Sequence, residues 1–159
     1  MANRYLLPLY EKLYDKKFHY SNFDQRMEMQ KAVYLLQDMG VPVGSYGFRW
    51  YLHGPYSQVL QDDMHFESGR IISKIPELSN EYSDSIERLH QLIHAPENSA
   101  YSVSSWVECL ASLQYLKKNV MNFKATMEDV IIELENRKKH LNNRDINIKA
   151  YKLLEDLFA

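Results

Sequence analysis

All five glycines of this chain (Gly40, Gly44, Gly47, Gly54 and Gly69) fall between residues 40 and 69, and the chain on either side has none. Glycine tolerates positive φ and close backbone approach, so it marks turns, bulges and helix ends. This distribution predicts helices flanking one tightly turned, partly β segment. The apolar spacing agrees. Leu6, Leu9, Tyr10, Leu13 and Tyr14 recur at i, i+3, i+4, as on one face of a helix with Asn3 as its cap. A second helix is expected from Asp24, its cap, to Met39, striped by Met29, Ala32, Val33 and Leu36. Gly40 suits a left-handed helix end there, and Val41-Pro42 blocks continuation.

In residues 44–53, Phe48, Trp50 and Leu52 alternate with Arg49 and Tyr51, the period of a strand. The alternation predicts that Phe48, Trp50 and Leu52 share one inward face. Gly54-Pro55 then punctuates, and a helix carrying Val59, Leu60 and Met64 is expected to begin there. The isoleucine-rich run Arg70 to Ile75 is a candidate second strand. Further helices are expected over Ser83–His94, Val103–Val120, Met127–Leu141 and Asp145–Phe158, with Thr126 and Asp129 resembling a capping box. The expected fold class is mainly α (α+β): a compact bundle of about six to seven helices with a small two-stranded β element near residues 47–75. With 159 residues it reads as a single domain, 1–159, whose one candidate division separates a motif-bearing part (1–95) from C-terminal helices (99–159) at the loop Pro96-Glu97-Asn98-Ser99.

Composition narrows the function classes. The net charge is −2 and neither half has an excess of basic residues, which removes the usual electrostatic argument for nucleic-acid or membrane binding. The single cysteine, Cys109, excludes an intramolecular disulfide and a four-cysteine zinc site. It fits a reducing compartment and, beside Trp106 and Leu110, reads as a buried structural thiol. The charged first twenty residues do not form a signal peptide, and no apolar run is long enough to span a bilayer. A cytoplasmic protein is expected.

His90 and His94 have the i, i+4 spacing that aims two imidazoles at one ion, with Glu87 as a candidate third ligand. Gln91 stands where a metalloprotease helix needs Glu, so the pair reads as a solvated helix face, with no metal and no cofactor expected. Ser57 lies in no nucleophile elbow and reads as a polar first-turn residue. Arg137, Lys138, Lys139, His140 and Arg144 read as favourable charge at a helix C-terminus.

The segment from Tyr46 to Tyr56 is different, because five of its eleven residues are aromatic. Tyr, Trp and Arg dominate binding hot spots. Tyr46, Arg49, Tyr51, His53 and Tyr56, the residues off the inward face, are the candidate partner-binding set. No catalytic constellation is evident.

The helix Met29-Gln30-Lys31-Ala32-Val33-Tyr34-Leu35-Leu36, followed by Phe48-Arg49-Trp50-Tyr51-Leu52-His53-Gly54-Pro55-Tyr56-Ser57, carries a resemblance. Its pattern is similar to that of bacterial YwgA-like proteins and, more distantly, of the SocA-like antitoxins of the Panacea domain family. The resemblance covers roughly residues 24–75. Met29 stands where leucine is usual, and the C-terminal half matches no part of the pattern. It implies a compact, mainly helical domain in which Gln30, Lys31, Tyr34, Trp50, Gly54 and Pro55 form the structural motif. It also implies a non-enzymatic protein–protein interaction module, antitoxin-like or adaptor-like, of bacterial or phage origin. The partner would be another protein, a toxin or a protease substrate, with a homodimer as a further option. The competing reading is a winged-helix-like DNA-binding regulator, built from helices followed by a hairpin near residues 57–75. A third, an enzyme, would have to draw on His53, His90, His94 and Asp62 or Asp63.

Overall fold

The computed structural model describes residues 3–70, 80–95 and 100–159. Seven α-helices appear among them in chain order: α1 (Leu6–Tyr14), α2 (Phe23–Asp38), α3 (Gln58–Ser68), α4 (Ser83–Ile93), α5 (Val103–Tyr115), α6 (Met127–Arg137) and α7 (Arg144–Leu157). One antiparallel hairpin, β1 (Arg49–Tyr51) and β2 (Gly54–Tyr56), lies between α2 and α3. The mainly helical α+β architecture is therefore the one expected from the glycine distribution and the apolar spacing.

Five of the helices start on a side chain suited to the task. Asn22, Ser57, Ser102, Thr126 and Asn143 each accept a hydrogen bond from the backbone N–H three residues on. Such a cap contributes about 1 kcal/mol by satisfying a donor the helix itself leaves unpaired. Asn22, not Asp24, caps α2. Asn3 is not a helix cap either: its side-chain amide donates to the Val43 carbonyl at 2.6 Å and to the Tyr46 hydroxyl at 3.0 Å, tying the chain start to the loop after α2. That loop begins as expected. Gly40 takes φ +87°, its N–H reaches the Gln37 carbonyl, and the Val41 N–H reaches the Leu36 carbonyl. These are the two bonds of a Schellman ending.

α2 and α5 form the most extensive helix pair, with α1 and α3 on one side and α6 and α7 on the other. One hydrophobic cluster runs through all of them, from Leu6 and Leu9 through Leu35, Leu36 and Trp106 to Leu154. The fully buried Trp106 indole donates to the Leu92 carbonyl at 2.9 Å, so the elements on either side of residues 96–99, themselves outside the described residues, share one core. Cys109 is buried in it, and burial pushes its thiol well above the ordinary range.

Three expected boundaries move. No helix starts at Gly54-Pro55: those residues form β2, and α3 begins at Gln58 with Ser57 as its cap. The expected strand from Arg70 to Ile75 falls, apart from Arg70, outside the described residues, and β1 pairs with Gly54–Tyr56. Helix α6 stops at Arg137 rather than Leu141, because Lys138 turns to an extended φ/ψ of −125°/84°. The helix expected to reach Val120 is α-helical only to Tyr115 and widens into a π turn over Leu116–Val120.

The hairpin turns through Leu52 and His53, both at negative φ, and Gly54 takes the left-handed φ of +89°. A Cβ at Gly54 would meet the Ser112 hydroxyl at 2.4 Å. That hydroxyl has no hydrogen-bond partner among the described residues, so turning it away breaks no bond, and the left-handed backbone is expected to be the larger obstacle. Gly54→Ala is expected to cost roughly 1–2 kcal/mol in urea denaturation. Adding Ser112→Ala should recover only a minor part of the loss; full recovery would show that the steric contact dominates.

Candidate functional site

The hairpin is held by side chains from α2 and from the residue that follows α6, which bond to its backbone. Gln30 of α2 is almost fully buried and forms a reciprocal pair with Ser57: its amide nitrogen donates to the Ser57 carbonyl at 2.8 Å, and its carbonyl accepts from the Ser57 N–H at 2.9 Å. It thereby acts as one rung of a third strand. Next to it, buried Lys31 donates from Nζ to the Pro55 carbonyl at 2.7 Å. Proline has no N–H, so this carbonyl is the one ladder group that Pro55 brings. Buried Lys138, just beyond α6, donates to the carbonyls of Tyr51 and Leu52 at the turn. Two lysines thus hold the hairpin backbone, Lys31 at Pro55 and Lys138 at the turn.

Their counter-charge is Glu108 of α5, itself only 2% exposed. Its carboxylate accepts from His140 at 3.0 Å and lies 3.6 Å from Lys138 and 3.9 Å from the His53 ring. Desolvation dominates the lysines. Burial lowers the Lys31 amine to about 7, with Glu108 pulling the other way and Lys138 adding to the shift. Burial also holds Lys138 and His53 below their ordinary values, against the same carboxylate.

The outer surface of this clamped hairpin is aromatic and apolar. Tyr51 is 58% and Leu52 71% exposed, beside Phe23 of α2 at 52%. The Tyr51 and Tyr56 rings lie 5.2 Å apart, and Phe23 meets His53 edge-on at 5.2 Å. Between α2 and the turn these residues open onto a cavity of about 240 Å³, floored by Met27, Gln30 and Lys31 and flanked by Arg26. Arg26 stacks over Tyr20 and Phe23 and donates to the Tyr20 carbonyl. The volume is below the roughly 300–1,000 Å³ of small-molecule sites, and suits one or two side chains of another polypeptide.

The expected partner-binding set divides. Arg49 and Tyr51 are exposed, and His53 and Tyr56 are half-buried at the cavity rim. Tyr46 does not belong with them. It is 7% exposed, its hydroxyl donates to Asp63 at 2.7 Å, and its backbone is paired with the Gln37 side chain. Leu52 is likewise not inward, because it occupies the turn rather than a strand position. Phe48 and Trp50 pack on the core as expected, Phe48 against buried Tyr34 and Trp50 against Tyr115, with Arg137 and Lys138 over the indole.

Glu108 and Lys138 escaped the sequence reading. Lys138 lies within the cluster read as solvated helix-end charge. Glu108 had a signal, as the one charge inside Trp106-Val107-Glu108-Cys109-Leu110. The histidines considered for catalysis are divided: His53 sits by Glu108, whereas His90 and His94 lie on α4 against α1. The carboxylate that reaches both is Asp15, 3.0 Å from His90 and 3.4 Å from His94, not Glu87. No helix among the described residues is long and apolar enough to cross a membrane.

Compared with known proteins, no family model matches the chain, and no curated protein or solved structure matches it.

The lowered Lys31 amine has a consequence for stability. Between pH 7 and about 10.4 the unfolded chain keeps a proton that the folded chain releases, so this group makes stability rise with pH, by at most about 1.4 kcal/mol per unit. In urea titrations at pH 7, 8 and 9, Lys31→Met is expected to flatten that rise relative to the unsubstituted protein. Equal slopes in the two proteins would mean that the amine stays charged when buried.

Proposed function

We propose that this chain is a non-enzymatic interaction module that captures another protein on the hairpin surface around Tyr51, Leu52, His53 and Tyr56. The observation that carries the reading is the pairing of a highly exposed Tyr51-Leu52 turn with a backbone gripped by buried Lys31 and Lys138. Large apolar side chains exposed together mark interaction sites, and a rigid backbone lowers the entropy lost on binding. The adjacent cavity would take one or two apolar side chains of the partner, with Arg26 at the rim to meet a carboxylate. This is the arrangement of a buried anchor inside a polar rim. The antitoxin-like reading, with a toxin as the partner, and the adaptor-like reading, with a protease substrate, both use the same surface.

The DNA-binding alternative finds less support. The hairpin precedes α3, and residues 58–68, where a wing was expected to begin, are helical.

The tagged protein, recovered from its native cells with nuclease treatment, is expected to carry one stoichiometric protein companion. Tyr51→Ala/Tyr56→Ala should weaken that complex by about a hundredfold or more while leaving the far-ultraviolet spectrum unchanged. A photo-crosslinking residue at position 52 should label the same companion. Retained binding in the double variant, without a crosslink at 52, would remove this surface from consideration. Companions that vanish with nuclease would favour nucleic acid.

A further inference from the structure

A second constellation lies away from the hairpin, where α1 ends against α4. Asp15, His90 and His94 each offer one ligand atom, and these atoms lie within 4.8 Å of one another. The Asp15 carboxylate oxygen is 3.0 Å from His90 Nε2 and 3.4 Å from His94 Nε2. Ligand atoms bonded to a tetrahedral zinc-type ion at about 2.0–2.2 Å are separated by roughly 3.3 Å, so these two spacings need little adjustment. The Leu13 carbonyl is 2.9 Å from His94 Nε2 and adds a further oxygen beside it.

Three features distinguish this cluster from a chance meeting of surface residues. The first is backbone conformation. Asp15 follows α1 in the left-handed region, at φ 59° and ψ 30°, with its N–H returned to the Glu11 carbonyl. Glycine or asparagine is the usual occupant of that position. An aspartate there accepts a conformational cost of about 1 kcal/mol and points its carboxylate at α4. The second is the far side of the His90 ring. Its Nδ1 is buried without a hydrogen-bond partner among the described residues, and the Glu87 carboxylate stands 3.8 Å away. Metal-bound imidazoles commonly donate their second N–H to a carboxylate, which fixes the tautomer that leaves Nε2 free for the metal. A small closing movement of Glu87 would supply that bond. The third is access. The Asp15 side chain is 64% exposed and the two imidazoles about a third, so an ion could enter and still keep a solvent-facing position.

We propose that Asp15, His90 and His94 form a binding site for one divalent transition-metal ion of the zinc class, completed by water or the Leu13 carbonyl. The donor set of two imidazoles and one carboxylate suits zinc, nickel or copper rather than magnesium or calcium, which prefer all-oxygen shells. Each imidazole would bind as its neutral Nδ1–H tautomer, its Nε2 proton exchanging through solvent to Nδ1, and coordination would replace the present hydrogen bonds to Asp15 and Leu13. It would thereby staple the end of α1 to α4.

The test uses the full chain, freed of metal by chelation and titrated calorimetrically with zinc chloride. One zinc per chain is expected. Substituting cobalt should give the intense visible bands of tetrahedral coordination. His90→Ala, His94→Ala and Asp15→Ala, all at partly exposed positions, should each weaken binding by more than about tenfold, and Glu87→Gln by about tenfold. Zinc should raise the melting temperature of the unsubstituted protein but not that of His90→Ala/His94→Ala. Magnesium at the same concentration should do neither. Absence of stoichiometric binding, or equal binding by the double-alanine variant, would overturn the proposal.

Discussion

A buried carboxylate, Glu108, shared between buried Lys138 and the histidines around the hairpin, is the constraint on which the placement of the hairpin depends. Ions are removed from water at high cost, and a buried pair is retained only where geometry and hydrogen bonds compensate it. Here the compensation is made with backbone. Lys31 and Lys138 reach the carbonyls of Pro55, Tyr51 and Leu52 and draw their electrostatic balance from one acid on α5. A two-stranded hairpin of three-residue strands is marginal alone in water. These bonds from α2 and the end of α6, together with the Gln30 rung, substitute for the missing third strand.

The same arrangement explains why the hairpin faces solvent with its aromatic side. The side chains that would normally compete for the core are committed elsewhere. Trp50 lies under Arg137 and Lys138, Phe48 packs on Tyr34, and Tyr46 is tied to Asp63 and Asn3. Tyr51, Leu52 and Tyr56 are left outside on a backbone that is not free to fold them in. Exposed apolar groups on a fixed backbone stay available to a partner; on a mobile one they would collapse onto the nearest apolar neighbour. The early stop of α6 serves this geometry, because a longer α6 would hold Lys138 in helical register rather than turning it toward the hairpin.

Much was legible in the sequence, and for physical reasons that are local. Helix stripes follow from a 3.6-residue period, Gly40 ends α2 through its own backbone freedom, and Thr126 caps α6 by accepting from the Asp129 N–H three residues on. The errors also have a local form. Period-two alternation assigned Leu52 to the inner face, but two residues were needed to reverse the chain, and Leu52 became one of them. Gly54-Pro55 read as a helix start because proline suits that position, yet the helix waited for a better cap at Ser57. Tyr46 was grouped with the exposed aromatics because nothing in its neighbours reveals that Asp63, one helix later, would accept its hydroxyl.

By itself the sequence determined the fold class, the position of the single turned segment, and the identity of the residues that line it, since these depend on spacing, glycine placement and propensity along the chain. Tertiary structure alone decided which charges are buried, because Glu108 of α5, Lys31 of α2 and Lys138 after α6 lie far apart in sequence and acquire their roles only by meeting at the hairpin. It likewise decided that Asp15, rather than Glu87, closes on His90 and His94. Neighbours on one helix turn are set by periodicity, whereas partners across a packed interface are set by how whole helices seat against each other.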